Sequence, residues 1–178
     1  RTGEGAPTLP LFAYGAVGFA EGRFWVCARK VDQDRRQVFT GIPRERIVFE
    51  ITERDTVKNL SLLERFLAEL KLEGFKLAID DFGTGFSSFH YLRRFPIDFL
   101  KIEGDFIANM LTSPKDRAVV TSIKSLAQEM GITIVAEYVE SQEVLDELHV
   151  MGVHLAQGYY IGKPARQVID ADWKPLRS

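Results

Sequence analysis

Six polar residues in this sequence follow or interrupt short apolar runs, where a charge or amide is costly unless it has work to do. RIVF (46–49) is followed by Glu50, KLAI (76–79) by Asp80 and Asp81, and ITIVA (132–136) by Glu137; FLKI (99–102) contains Lys101, and HLA (154–156) precedes Gln157. In parallel α/β architectures the carboxyl ends of the strands share one rim, so these residues would converge despite their distance in sequence. Four carboxylates cannot crowd together uncompensated, because like charges at short range repel and raise one another's pKa values. A divalent cation resolves that conflict. An all-oxygen donor set suits Mg²⁺ or Mn²⁺, and the lack of a paired Cys or His pattern argues against zinc. The adjacent Asp80 and Asp81 suit a two-metal arrangement, in which one carboxylate bridges and its neighbour grips the second ion. Lys101 would orient or deprotonate an attacking water, or neutralise charge on a phosphate.

Each residue also has a simpler reading. Glu50 and Glu53 could charge the first turn of a following helix. Asp80-Asp81 before Gly-Thr-Gly could be a turn, and Lys101 a solvated edge residue. These explanations are independent of one another, whereas a metal cleft accounts for all the positions together. The DFG tripeptide (81–83) suggests a protein kinase, but that reading requires an HRD-type loop and a glycine-rich loop, which the sequence lacks. His90, His149 and His154 have no metal-ligand spacing. The aromatics Phe82, Phe86, Phe89, Tyr91, Tyr159 and Tyr160 are core by default, though any on the rim could stack a purine.

Positioning these residues requires a particular scaffold. From Arg46 onward, short runs apolar on both faces alternate with segments of helical period, the pattern of a parallel sheet covered by helices. Val57, Leu60, Leu63, Leu67 and Leu70 form one helical stripe, closed by Gly74. Ser113-Pro114 opens a second helix with Val119, Ile123, Leu126 and Met130 inward, stopped by Gly131. Ser141 opens a third, with Val144, Leu145, Leu148 and Met151 inside. Repeated βα units allow an open doubly wound sheet or a closed barrel, and no phosphate-binding glycine fingerprint supports the former. In residues 1–45, LPLFAYGAV and GRFWVCARKV read as two extended runs joined at Glu21-Gly22, a hairpin-like entry.

Composition sets the outer bounds. The 178 residues are 46% hydrophobic, with a mean hydropathy of −0.08, enough for one domain with a real core. Lys and Arg number 23 against 25 Asp and Glu, so no basic field argues for duplex nucleic acid or an anionic membrane. The single cysteine, Cys27, excludes an internal disulfide framework and fits a reducing compartment. No apolar run reaches bilayer-spanning length, and no signal-peptide pattern opens the chain. The expectation is a cytoplasmic domain.

The segments FEITE (49–53), AIDDFGTGFSSFHYLRRFPIDFLKIE (78–103), TIVAEYVES (133–141) and QGYYIGKP (157–164) strongly resemble the EAL-domain family of cyclic di-GMP phosphodiesterases. The resemblance covers 46–164, within a single domain 1–178 whose first 45 residues diverge. It implies an α/β fold, a modified (β/α)8 TIM-barrel-like domain with missing or altered N-terminal βα units, and hydrolysis of cyclic di-GMP to linear pGpG with Mg²⁺ or Mn²⁺. It further implies that Glu50, Asp80, Asp81 and Glu137 bind metal, and that Lys101 and Glu137 take part in catalysis. Glu53, Phe82, Gly83, Thr84, Gly85, Ser87 and Ser88 would form or hold an active-site loop spanning 82–89. Gln157, Tyr159 and Pro164 would contact substrate.

The departures define a second reading. No Glu-Ala-Leu tripeptide occurs, and Asn59 and Asn109 lie on the wrong segments to serve as the family's metal-binding asparagine. Aligned on the family's first hairpin, Ala28 replaces its glutamate and Gly15 its glutamine. Tyr138 replaces the glycine of A-E-G-V-E, where it could crowd the site, and Glu103 stands where an aspartate is usual. A complete (β/α)8 barrel needs roughly 250 residues. The alternative is therefore a degenerate EAL module acting as a cyclic di-GMP receptor or protein-interaction domain. Exposed sheet edges would favour a homodimer, and a sensor or GGDEF-type domain would accompany it in a longer parent.

Overall fold

A computed structural model of the protein describes residues 24–26, 43–52, 60–83, 88–153 and 155–162. Its frame is a six-stranded parallel sheet: β1 (Phe24–Val26), β2 (Ile47–Thr52), β3 (Lys76–Phe82), β4 (Phe99–Ile102), β5 (Thr133–Ala136) and β6 (Leu155–Ala156). Each strand lies beside its sequence neighbour, in the order β1-β2-β3-β4-β5-β6. A doubly wound sheet reverses its order at a switch point, whereas a (β/α) barrel winds one way throughout. Helices α1 (Leu60–Leu72), α2 (Ser88–Arg94), α3 (Gly104–Asn109), α4 (Pro114–Glu129) and α5 (Gln142–Val150) occupy the connections.

The strands alternate between two environments. Ile47, Phe49, Ile51, Leu77, Ile79, Leu100, Ile102, Ile134 and Ala136 join the helices in one large core, with Leu67 and Leu70 of α1, Val120 and Ile123 of α4, and Val144 and Leu148 of α5. Val48, Ala78, Phe99 and Val135 form a separate layer with Leu155 on the opposite face. Because side chains repeat their face every second residue, the residues two positions after Val48, Ala78, Phe99, Val135 and Leu155 share that inner face. They are Glu50, Asp80, Lys101, Glu137 and Gln157.

Several boundaries differ from the sequence reading. Phe24–Val26 pairs in parallel with β2, which makes it part of the main sheet; the other arm of the expected hairpin lies outside the described residues. LPLFAYGAV, Gly15, Ala28 and Val57 lie outside the described residues. Among the described residues of the extended run expected over 154–161, the strand is Leu155–Ala156. Beyond it, Gly158 O accepts from the backbone N–H groups of Ile161 and Gly162, which turns the chain. In α4, Ile123 is buried as expected with Val120 and Ala127 beside it, Val119 and Leu126 pack partly buried against the same core, and Met130 is exposed. Both expected caps form, with Ser113 accepting from Asp116 N and Ser141 from Val144 N at 3.3 Å each. The short helices α2 and α3 have too few turns to show a period in sequence.

Opposite the rim, the entry to β4 is pinned by Asp98. Its carboxylate accepts from Lys71 Nζ at 2.7 and 2.8 Å, Lys76 Nζ at 3.0 Å and Leu77 N at 2.9 Å. Burial raises its pKa, but the bonds from Lys71, Leu77 and Lys76 outweigh burial and hold it below the ordinary 3.8. A depressed carboxyl pKa gives stability that is present above the unfolded value and lost as pH falls through the folded one. Asp98→Asn is expected to cost about 1–3 kcal/mol at neutral pH. The difference from wild type should shrink below about pH 4, as chemical denaturation at pH 7 and pH 3 would show.

Candidate metal centre

The inner-face polar layer gathers around one lysine. Lys101 Nζ lies 2.9 Å from Glu50 Oε1, 2.7 Å from Asp80 Oδ1 and 2.8 Å from Glu137 Oε1. The ammonium-bearing side chain is only 4% exposed. Burial alone would strip its proton, but the charges of Glu50, Glu137 and Asp80 together overcome burial and hold its pKa well above the usual lysine range. In this arrangement Lys101 is a fixed cation. With these carboxylates around it, it donates hydrogen bonds and offsets negative charge.

One ammonium does not balance the carboxylates around it. Burial raises the Glu137 carboxyl; Lys101 lowers it, and Asp80 and Glu50 raise it again, leaving a pKa of about 7 against an ordinary 4.5. Asp80, Asp81 and Glu137 each offer a carboxylate oxygen, and the three lie within 4.8 Å of one another. Asp80 Oδ1 is buried, and its close neighbour is the Lys101 ammonium at 2.7 Å, a contact bent away from ideal hydrogen-bond alignment. A clustered, hard-oxygen donor set with excess negative charge and an incompletely satisfied buried oxygen fits Mg²⁺ or Mn²⁺.

The backbone explains how consecutive aspartates reach the same place. Between Ile79 and Phe82 the β3–β4 register shifts: Ile79 pairs with Leu100 and Phe82 with Ile102, so three steps on β3 oppose two on β4. Asp81 takes up the extra residue at φ 56°, a left-handed conformation that aspartate tolerates better than most side chains. Without this bulge, alternation would turn Asp81 to the opposite face from Asp80.

Only some of the other expected site residues are described. Phe82 closes β3 and is fully buried, with the Phe89 ring edge-on at 5.6 Å; it is a core residue, because the strand continues one residue past the aspartates. Gly83 turns the chain at φ 111°, and Ser88 opens α2. Thr84, Gly85, Ser87, Glu53 and Pro164 lie outside the described residues. Gln157 bonds through its backbone, donating to Ala136 O at 2.7 Å and accepting from Val139 N at 3.0 Å. Tyr159 is exposed.

Sequence reasoning noted Glu103 only as a departure, yet it stands beside the cluster. Burial raises its pKa, and the hydrogen-bonded Asp81 carboxylate raises it further. The available signal was its position two residues beyond Lys101, on the same strand face. Tyr138, directly after Glu137, is mostly exposed.

A parallel sheet wound in one direction, with its acidic centre on the carboxyl rim, is the arrangement of (β/α) barrel proteins. The chain belongs to the EAL domain family, whose defining pattern matches residues 30–164. It is 45% identical over 130 residues to the cyclic di-GMP phosphodiesterase PdeB of Shewanella oneidensis, covering 73% of this chain and 15% of that protein. The EAL domain of Mycobacterium smegmatis DcpA superimposes with a TM-score of 0.66 at 37% identity, over 70% of this chain and 56% of that one. The manganese and cyclic di-GMP complex of Klebsiella pneumoniae BlrP1 gives a TM-score of 0.63 at 34% identity, over 67% and 30%. The chain thus spans just over half of the DcpA domain structure. Among the described residues, no helix is long and apolar enough to cross a membrane.

The raised Glu137 pKa has a thermodynamic sign. The folded chain keeps this proton up to about pH 7, whereas an unperturbed glutamate releases it near 4.5. The folded state therefore binds more protons across that window, and stability falls as pH rises. For the metal-free protein the contribution is on the order of 3 kcal/mol. Denaturant titrations from pH 4.5 to 8 should show the decline in wild type and its loss in Glu137→Gln.

Proposed function

We propose that the chain carries the catalytic rim of a cyclic di-GMP phosphodiesterase, hydrolysing one phosphodiester bond to give linear pGpG. The observation that supports this most is the Lys101 ammonium held by Glu50, Asp80 and Glu137, with Asp81 beside them on the bulge. Glu50, Asp80, Asp81 and Glu137 would hold one or two Mg²⁺ or Mn²⁺ ions. A bound divalent ion would lower the pKa of water and offset phosphate charge. Lys101 would keep its proton and donate to a non-bridging phosphate oxygen, where negative charge grows as water adds to phosphorus. Glu137, one of the carboxylates that would hold the ion, would also orient the attacking water, whose proton passes to solvent while solvent protonates the departing ribose oxygen as the ester P–O bond breaks.

A second reading follows from the absence of a Glu-Ala-Leu tripeptide from the 178 residues. The module would then bind cyclic di-GMP as a receptor without turning it over. In the same proposal, a longer parent carries a sensor or GGDEF-type domain, and the sheet edges at β1 and β6 pair in a homodimer.

Incubation with cyclic di-GMP and Mn²⁺, followed by chromatography for pGpG, separates the readings. Turnover is expected, with Asp80→Asn reducing it on the order of 100-fold and Lys101→Met by about 100- to 1,000-fold. Undiminished metal-dependent turnover in Asp80→Asn would refute the metal assignment. Tight binding without pGpG would establish the receptor reading instead.

A further inference from the structure

We infer that Tyr138 is a base-stacking platform at the rim of the cleft and sets affinity for a purine-containing substrate, an inference that rests on the proposed function. Tyr138 follows Glu137 directly and adopts φ 54°. That left-handed conformation is unfavourable for an aromatic residue and persists only where its surroundings enforce it. Here they do. Val139 N donates to Gln157 O at 3.0 Å, Gln157 N donates to Ala136 O at 2.7 Å, and Tyr160 N donates to Val139 O at 3.1 Å. The hydroxyl of Tyr160 donates to Gln142 Oε1 of α5 at 2.5 Å. Gly158 packs backbone to backbone on Val139, where an added Cβ would lie 2.2 Å from Val139 O. The strained residue is thus bracketed on a stiff segment.

The ring itself is seated on the first residue of α3, just past the end of β4. A Cβ at Gly104 would lie 2.0 Å from Cδ2 and 2.5 Å from Cγ of Tyr138, so the ring takes the space that any other residue at 104 would need. Gly104 is buried and follows Glu103. Tyr138 nevertheless remains 61% exposed. The result is a large aromatic surface anchored along one side, open on the other, and placed between the Glu137 and Glu103 strand ends. The surrounding hydrogen bonds hold the backbone and Gly104 seats one side of the ring, while the other side stays open to solvent. A planar base whose phosphate is held at Lys101 and the carboxylates could cover that open side, because every base offers a π-face to an aromatic ring.

The test compares Tyr138→Gly, Tyr138→Leu, Tyr138→Phe and wild type in the full chain. Cyclic di-GMP affinity is measured by calorimetry with Mn²⁺, KM and kcat are measured where turnover occurs, and Mn²⁺ affinity is measured alone. Leucine keeps apolar bulk without a π-face, phenylalanine keeps the face, and glycine relieves the backbone strain, so at least one variant remains folded. The expected result is a roughly tenfold loss of cyclic di-GMP affinity, or rise in KM, in Tyr138→Leu and Tyr138→Gly. Tyr138→Phe should resemble wild type, and kcat and Mn²⁺ affinity should stay within about twofold. Wild-type affinity in the leucine and glycine variants would overturn the stacking role and leave the proposed function standing. Equal losses in all three variants would show that the side chain acts through its hydroxyl and would also overturn it. Absence of any cyclic di-GMP binding by wild type would remove both.

Discussion

Everything on the carboxyl rim depends on how one buried ammonium shares its charge among three carboxylates. At separations near 2.8 Å and an effective dielectric constant of about 20, each attraction is roughly 6 kcal/mol. Desolvating each ion costs several kcal/mol. Three attractions exceed the penalty for Lys101, which therefore keeps its proton. They leave the carboxylates undercompensated, and Glu137 answers by holding a proton to near neutrality. A resident cation would answer the same imbalance. The lysine and the metal are alternative and complementary sources of positive charge on one inner-face layer.

That layer exists because the sheet is wound in one direction and covered on one face by helices. Packing the outward residues against α1, α4 and α5 fixes the parity of every strand, and parity sends Glu50, Asp80, Lys101, Glu137 and Gln157 to the other face. The small apolar layer of Val48, Ala78, Phe99, Val135 and Leu155 beneath them excludes water from below. Folding energy and site geometry are set by the same alternation. Asp98, at the opposite end of β4, contributes anchoring rather than chemistry, in keeping with the division of labour between the two faces of such folds.

Much of this was legible in the sequence, for identifiable reasons. Strands β2 to β5 are short apolar runs with a polar residue at one end, and α4 and α5 begin at serine caps. These signals are local. What escaped the reading was set by tertiary context. The bulge at Asp81 requires knowledge of the β4 partner. The parallel pairing of Phe24–Val26 with β2 is not readable from local propensity. The early end of β6 depends on Gly158 meeting Val139, and the exposure of Met130 on where the sheet stops covering α4. Glu103 was visible as a residue two beyond Lys101 but lacked a partner until Asp81 was placed.

The extra residue in β3 makes the length of that segment a chemical variable in its own right. In an ordinary strand edge, substitution changes a side chain and leaves its neighbours' directions alone. Between Ile79 and Phe82, the direction of one carboxylate is encoded by chain count. Such a site tolerates changes of residue type on its flanks far more readily than a change of one residue in spacing. Loss of a single position there would restore a regular ladder, remove one carboxylate from the cleft, and leave a well-packed fold with an altered charge inventory. The two neighbouring aspartates are therefore an inseparable unit with the irregularity that carries them.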